Sequence, residues 1–333
     1  MQRTRVAILA GGRSSEHDIS LASARSVLES LDPERYDVVT VAIGRDGRWE
    51  LGTGEGGSIA ETLPVPAANA PATLGAVDVV LPILHGPFGE DGTVQGLLEL
   101  AGVPYVGSGV AASALCMDKD LFKKVLRDSG LPVARHLALR EGDPVQNPFG
   151  FPCFVKPARL GSSVGISKAH DESELAEAVL LAFRHDDKVL VEEFLDGIEV
   201  EVGVLGNRDP IASIPGQIVP LGHEWYDYSS KYDAGGMDLV IPPDLADAVV
   251  EQVQRVAVEA FRVTECEGMA RVDCFVVDDD RVVVNELNTI PGFTSTSVYA
   301  KLFDASGVPY DELLRRLIEL GVERHERRSK LEY

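Results

Sequence analysis

Apolar residues recur along the chain with two alternating periods. In the first hundred positions, β-branched runs bounded by glycine or proline (RVAILAGG, DVVTVAIG and VDVVLPILHG) alternate with stretches of helical spacing, one from about Ser20 and one over residues 91 to 101. The β-branched runs read as strands, and their alternation with helices predicts a parallel sheet of βαβ units. The segment GTGEGGSIAETLPVPAANAPAT carries Gly, Ala and Pro with no sustained period and reads as a surface excursion.

A second pattern starts beyond it. A capped helix is predicted from near Met117 to Lys119 up to Gly130, then a Pro-containing loop, EGDPVQNPFG, before the strand FPCFVKP. Leu175, Ala178, Val179 and Ala182 mark a helix over residues 172 to 184, and KVLVEEFL the next strand. IEVEVGVLG opens a third region, in which Leu245, Val249, Val253, Val256, Ala260 and Phe261 form the stripe of a long amphipathic helix. Two strands and a terminal helix follow, and the charged tail ERHERRSKLEY is expected to fray. No fixed repeat appears. The expected organisation is an α/β chain (α+β lobes) of three units: 1–112, 113–195 and 196–333.

Charge narrows the partners. Lys and Arg number 31 against 53 Asp and Glu, a net charge of −22, which repels nucleic-acid backbones and anionic membranes and requires any anionic substrate to be held by local cations or a metal. No apolar run of about 18 residues occurs and the N-terminus passes directly into a strand, so a cytoplasmic protein is expected. Cys116, Cys153, Cys266 and Cys274 lack metal or disulfide spacing and read as buried thiols.

RVDCFVVDDDRVVVNELN reads as a hairpin with Asp279 and Asp280 at its turn. That register sets Asp273 opposite Glu286 and Arg271 opposite Asn288, all four on one face. Two facing carboxylates repel unless a cation lies between them, and an oxygen-only set suits Mg²⁺ shared with phosphates. The other reading is a solvated polar face. In FVKPARLGSSVG, Lys156 ends a strand and a glycine-flanked Ser-Ser loop follows, a phosphate cradle or a plain turn. It also matches the GxSxG nucleophile elbow around Ser163, yet the residues after Gly165 do not read as the helix an elbow needs. Glu192, Glu193, Phe194, Leu195 and Glu199 combine acceptors with apolar surface at a lobe boundary, as a nucleoside requires, or form a solvated strand end. Gly11 and Gly12 do not make a dinucleotide fingerprint. Glu16 and His85 sit in loops after parallel strands, where open α/β sheets bind ligands, though either could be structural.

GGRSSEHDIS, LHGPFGEDGTVQG, SALCMDK, FVKPARLGSSVG, YDYSSKY, RVD and NELNTIPGFTSTS occur in the order found in the D-alanine-D-alanine ligases, and over essentially its whole length the chain resembles that family of the ATP-grasp superfamily. The resemblance implies an ATP-grasp fold behind an N-terminal Rossmann-like domain. It implies that Lys119, Lys156 and Asn285 contact ATP, that Ser162, Ser163 and Val164 cover its phosphates, and that Glu192, Glu193, Phe194, Leu195 and Glu199 frame adenine and ribose. Asp273, Glu286 and Asn288 would hold two Mg²⁺ ions, for which Mn²⁺ could substitute. Glu16 would receive the ammonium of the first D-alanine, His85 would lie near its carboxylate, and Ser297 and Lys231 would engage the second. Arg271 and the Gly292 N–H would stabilise the oxyanion. Tyr232, Ser162 and Glu16 would close the loop of residues 222 to 238 over the site. The implied activity is ADP-forming synthesis of D-alanyl-D-alanine for peptidoglycan and the cell wall, by a homodimer. Ligases making D-alanyl-D-lactate or D-alanyl-D-serine are the near alternatives. A serine hydrolase using Ser163 with His223 or His325, and a non-enzymatic binding module, are the distant ones.

Overall fold

The computed structural model describes residues 3–52, 62–64, 77–221 and 236–332. β1 (Thr4–Gly11) lies between β2 (Tyr36–Ile43) and β5 (Val79–Ile83), parallel to both. Its unbroken apolar run follows from burial on both faces. Val6 and Ile8 enter one core, shared with α1 (His17–Ser30) and the last helix, while Ala7 and Leu9 enter another under α2 (Thr93–Ala101). β3 (Trp49–Gly52) and β4 (Thr62–Pro64) extend this sheet, so the predicted excursion contributes strands; residues 53–61 and 65–76 lie outside the described residues. α1 starts before the expected Ser20. That hydroxyl faces inward, accepting the Gly11 N–H at 2.7 Å and donating to the Ile83 carbonyl, so it joins β1 to β5 and does not cap the helix.

α3 (Val110–Met117), which the pattern did not reveal, is separated from α4 (Lys119–Asp128) by Asp118. Asp118 has an extended backbone, and its carboxylate caps α4 by accepting the Leu121 N–H at 3.1 Å. The second sheet is antiparallel, ordered β6 (His136–Arg140), β9 (Lys188–Glu193), β7 (Cys153–Pro157), β8 (Ser167–Ala169). α5 (Glu172–Ala182) covers it, burying Leu175, Ala178, Val179 and Ala182.

The third sheet runs β13 (Met237–Val240), β12 (Gly216–Pro220), β10 (Gly197–Gly206), β14 (Gly268–Val277), β15 (Arg281–Asn288), with β11 (Ile211–Ala212) paired to β10. Val200, Val202 and Val204 point down onto α6 (Asp247–Val263), which buries Val249, Val253, Ala257, Ala260 and Phe261 against them. Glu199, Glu201 and Gly203 therefore point to the other face.

Two further predicted features change. The terminal helix is two helices, α7 (Val298–Ala305) and α8 (Tyr310–Arg328). The tail does not fray at Glu323, because α8 continues to Arg328. Arg324 is buried with its guanidinium 3.9 Å from the Tyr105 ring centroid, and Arg327 pairs with Glu267. The four cysteines are buried and free, as expected. Among the described residues no helix is long and apolar enough to cross a membrane.

Candidate active site

The β14–β15 hairpin carries the predicted carboxylates by a different route. Its turn is longer than two residues: Val277 pairs with Arg281, and Asp278 and Asp279 take positive φ of 53° and 70°. That alone would shift the register by one and turn Glu286 toward the valine core. A bulge between Asp273 and Cys274, which leaves Asn285 as the extra residue between Val284 and Glu286, restores it. Asp273 then pairs with Glu286 and Arg271 with Asn288, as expected. Asp273 receives Arg271 Nε and Nη2, each at 2.7 Å, and the Asn288 amide at 3.0 Å. Glu286 lies 3.1 Å from Lys119 Nζ.

A cleft of about 380 Å³ opens between the second and third sheets, within the range of small-molecule sites. Lys119, Lys156, Ser162, Ser163, Glu192, Glu193, Phe194, Leu195, Glu199, Asn285 and Glu286 all line it. Phe154 and Phe194 give it an apolar wall, their ring centroids 6.2 Å apart, with Lys168 Nζ 4.3 Å from the Phe194 ring. Beneath lies a charge cluster. Lys156 donates to Glu192 at 2.5 Å, and Lys123, fully buried on α4, lies 3.0 Å from the other Glu192 oxygen and donates to the Asn285 carbonyl at 2.9 Å. Burial pushes the Glu192 carboxyl up, but Lys123 and Lys156 overcome it and hold the group down at about 2. Burial lowers Lys123, opposed by Glu192. Glu192 thus serves the lysines, Glu193 accepts the Arg135 backbone N–H and Nε–H at 2.7 and 2.6 Å, and the half-buried Glu199 also lines the cleft.

The Ser-Ser loop spans β7 and β8, so the elbow reading fails: a strand follows Gly165, not a helix. His325 lines a separate small cavity with Glu99 and Tyr105, away from Ser163, and His223 lies outside the described residues. Ser162 and Ser163 adopt φ of 54° and 56°, a left-handed geometry costing on the order of 1 kcal/mol per residue, of the kind stored at binding loops. It aims the Ser162 hydroxyl at Glu16, to which it donates a hydrogen bond. Val164 does not line the cleft; its N–H closes a turn on the Gly161 carbonyl at 3.3 Å.

A second cavity, about 430 Å³, gathers Glu16, His85, Glu90, Ser162, Arg271, Glu286, Asn288, Gly292 and Ser297. Gly86 makes room for Glu16: its φ is 72°, and a Cβ there would lie 2.5 Å from Glu16 Oε2. His85 is buried, and burial lowers its pKa against the pull of Glu16. Its Nδ1–H donates to the Ile290 carbonyl at 2.9 Å, which fixes the orientation of the ring in the cavity wall. Ser297 accepts the Thr294 N–H at 2.9 Å at the head of α7. Lys231 and Tyr232 lie outside the described residues.

Several residues of this region carried no assignment from sequence. Glu90 accepts the Gly86 and Ile290 N–H groups at 2.7 and 2.9 Å, and burial, with Glu16 nearby, pushes its carboxyl up to about 8. Lys123 and Glu201 are two more, each hidden in an ordinary amphipathic or alternating pattern.

Three sheets, a cleft between the second and third, and a lysine-bearing strand with a small-residue loop at its mouth define the ATP-grasp class of fold. Residues 5–108 match the family described as D-ala D-ala ligase N-terminus, and residues 125–319 match D-ala D-ala ligase C-terminus. A D-alanine–D-alanine ligase of Solibacter usitatus is 46% identical over 98% of each chain. Among solved structures, the D-alanine-D-alanine ligase of Coxiella burnetii superposes with a TM-score of 0.89 at 37% identity, covering 99% of this chain and 97% of that one. The VanG D-Ala:D-Ser ligase of Enterococcus faecalis gives 0.86 at 35% identity over 96% and 100%. A Bacillus anthracis D-alanine–D-alanine ligase complexed with ATP gives 0.81 at 26% over 98% and 99%. The chain belongs to the D-alanine–D-alanine ligase family, and is a ligase.

Proposed function

We propose that the chain consumes ATP to join two D-alanines through D-alanyl phosphate, releasing ADP and inorganic phosphate. One observation carries this reading: the nucleotide-sized cleft and the polar cavity share Gly161, Ser162 and Glu286 in their walls. A terminal phosphate in the first therefore meets an acid held in the second.

A carboxylate oxygen of the first D-alanine, its ammonium on Glu16, attacks the γ-phosphorus, and the bond to the ADP oxygen breaks. Lys119 and Lys156 neutralise the meeting anions. The deprotonated amine of the second D-alanine attacks the acyl carbon, and phosphate leaves as the tetrahedral intermediate collapses. Arg271 and the Gly292 N–H stabilise its oxyanion, while Ser297 and Lys231 orient the second substrate. Glu193, Phe194, Leu195, Glu199 and Asn285 hold the nucleoside and phosphate ends of ATP. Ser162, tied to Glu16, keeps the small-residue loop over the acyl phosphate so that water is excluded, and Tyr232, its expected partner, lies outside the described residues.

Asp273, Glu286 and Asn288 fit a hard divalent cation, offering only oxygen donors from facing strands. Among the described residues no three His, Cys, Asp or Glu side chains converge on one point, so the amide completes the set. Two Mg²⁺ ions, or Mn²⁺ in their place, would neutralise phosphate charge when bound.

The likeness to a D-Ala:D-Ser ligase favours one second reading, with D-serine as the attacking substrate. Incubation with ATP, Mg²⁺, D-alanine and D-serine separates them: D-alanyl-D-alanine as the main product supports the proposal, and a D-serine adduct in excess overturns it. The homodimer belongs to the same reading, and sedimentation at a monomer mass would remove it.

A further inference from the structure

We propose that Glu201 is a positioning residue that takes the Arg271 guanidinium over from Asp273 when a divalent cation occupies Asp273. The inference rests on the metal assignment of the proposed function and adds a residue to it.

Glu201 on β10 pairs with Asp273 on β14, which pairs with Glu286 on β15. Three carboxylates therefore stand in one row across three adjacent strands, on the face opposite the valine core. Arg271 stands between the first two: its Nε is 2.7 Å from Asp273 Oδ1 and 3.0 Å from Glu201 Oε2. Asp273 also holds Nη2 at 2.7 Å, so the guanidinium engages both its oxygens.

That arrangement suits a protein without metal and conflicts with one that binds it. A guanidinium and a divalent cation on one carboxylate repel each other, so occupation of Asp273 displaces Arg271. Without a second anchor, the group assigned to the oxyanion would be lost when it is needed. Glu201 supplies that anchor. It is 1% exposed, and a buried carboxylate is costly unless a cation pairs with it, so the attraction is mutual. Its carboxylate lies 3.0 Å from Arg271 Nε, so Glu201 acts on the arginine. Nε already lies within reach of both carboxylates, so the transfer is a short pivot.

The test uses Mn²⁺ with saturating ADP, free Mn²⁺ being counted by its electron paramagnetic resonance signal. In Glu201→Gln, Arg271 keeps to Asp273 and competes with the metal, so Mn²⁺ affinity should fall roughly ten-fold, the scale of losses when a ligand's supporting shell is disturbed. In an Arg271→Met background the same substitution should cost nothing further, since no guanidinium remains to be moved. Affinity within about two-fold of wild type, or an equal loss in the Arg271→Met background, overturns the proposal. If wild type takes up no Mn²⁺ beyond what ADP binds, the metal assignment itself is wrong and the inference falls with it. Should Glu201→Gln not fold, Glu201→Asp carries the comparison: its carboxylate is one methylene too short to reach Nε, and unchanged Mn²⁺ affinity overturns the proposal equally.

Discussion

Asp273 and Glu286 stand directly opposite each other on β14 and β15, and each is already compensated by a cation, Arg271 for the first and Lys119 for the second. On the proposed function, these facing carboxylates exchange the basic side chains for a harder cation delivered with a nucleotide. Glu286→Gln should therefore reduce ADP release with D-alanine by on the order of 10²-fold or more, as expected for loss of transition-state electrostatics, with the melting temperature little changed. Steady-state rates at saturating Mg²⁺ check this, and activity within a few-fold of wild type would remove Glu286 from the metal set.

Ser162→Ala should damage turnover more than Ser163→Ala. The Ser162 hydroxyl donates to Glu16 in the second cavity, so its loss loosens both the loop and the carboxylate proposed to receive the first ammonium. Comparison of kcat and of KM for D-alanine in the two variants decides it. The reverse order, with Ser163→Ala inactive and the protein labelled by a serine-reactive phosphonate, would restore the hydrolase reading.

Acid should destabilise the fold through Glu192. Its folded pKa of about 2 lies below the ordinary glutamate value of 4.5, so the stabilisation is fully present above pH 4.5 and is lost as pH falls toward 2. The shift corresponds to about 3 kcal/mol. Unfolding curves between pH 6 and pH 3 (conditions of roughly this span) should show a steeper loss for wild type than for Glu192→Gln, and the variant should be less stable at neutral pH because Lys123 and Lys156 lose their partner. Parallel curves would mean that another group carries the acid sensitivity.

What sequence made legible was the chemistry that repeats along a strand or loop. Alternation exposed Asp273, Glu286, Arg271 and Asn288 as one face, and the motifs assigned Lys119, Lys156 and Ser162 to the cleft they line. The hairpin register came out right at the site through two cancelling departures: a longer turn, and a bulge at Asn285. Neither leaves a clear mark in a run of valines and aspartates. Glu201 and Lys123 escaped because their roles depend on neighbours 70 and 69 residues away in sequence, Arg271 and Glu192. The charged tail misled because an arginine stacked on Tyr105 looks, in sequence, like any solvated arginine.

D-Alanine rather than D-lactate should be the second substrate. The expectation comes from Tyr232 following Lys231 in GHEWYDYSSKYD, residues outside those described, where a neutral tyrosine admits an incoming ammonium that a protonated histidine would disfavour. With D-alanine and excess D-lactate, products should be mainly dipeptide even near pH 6 (about half a unit below an ordinary histidine pKa). A majority of ester at that pH would contradict it.

The acyl phosphate is the centre of the account, and oxygen transfer tests it most directly. D-Alanine labelled with ¹⁸O in its carboxylate, incubated with ATP, Mg²⁺ and the protein, should pass one labelled oxygen into inorganic phosphate for each dipeptide formed, because the attacking carboxylate oxygen leaves with the phosphoryl group. Dipeptide formation with phosphate free of label would contradict the mechanism.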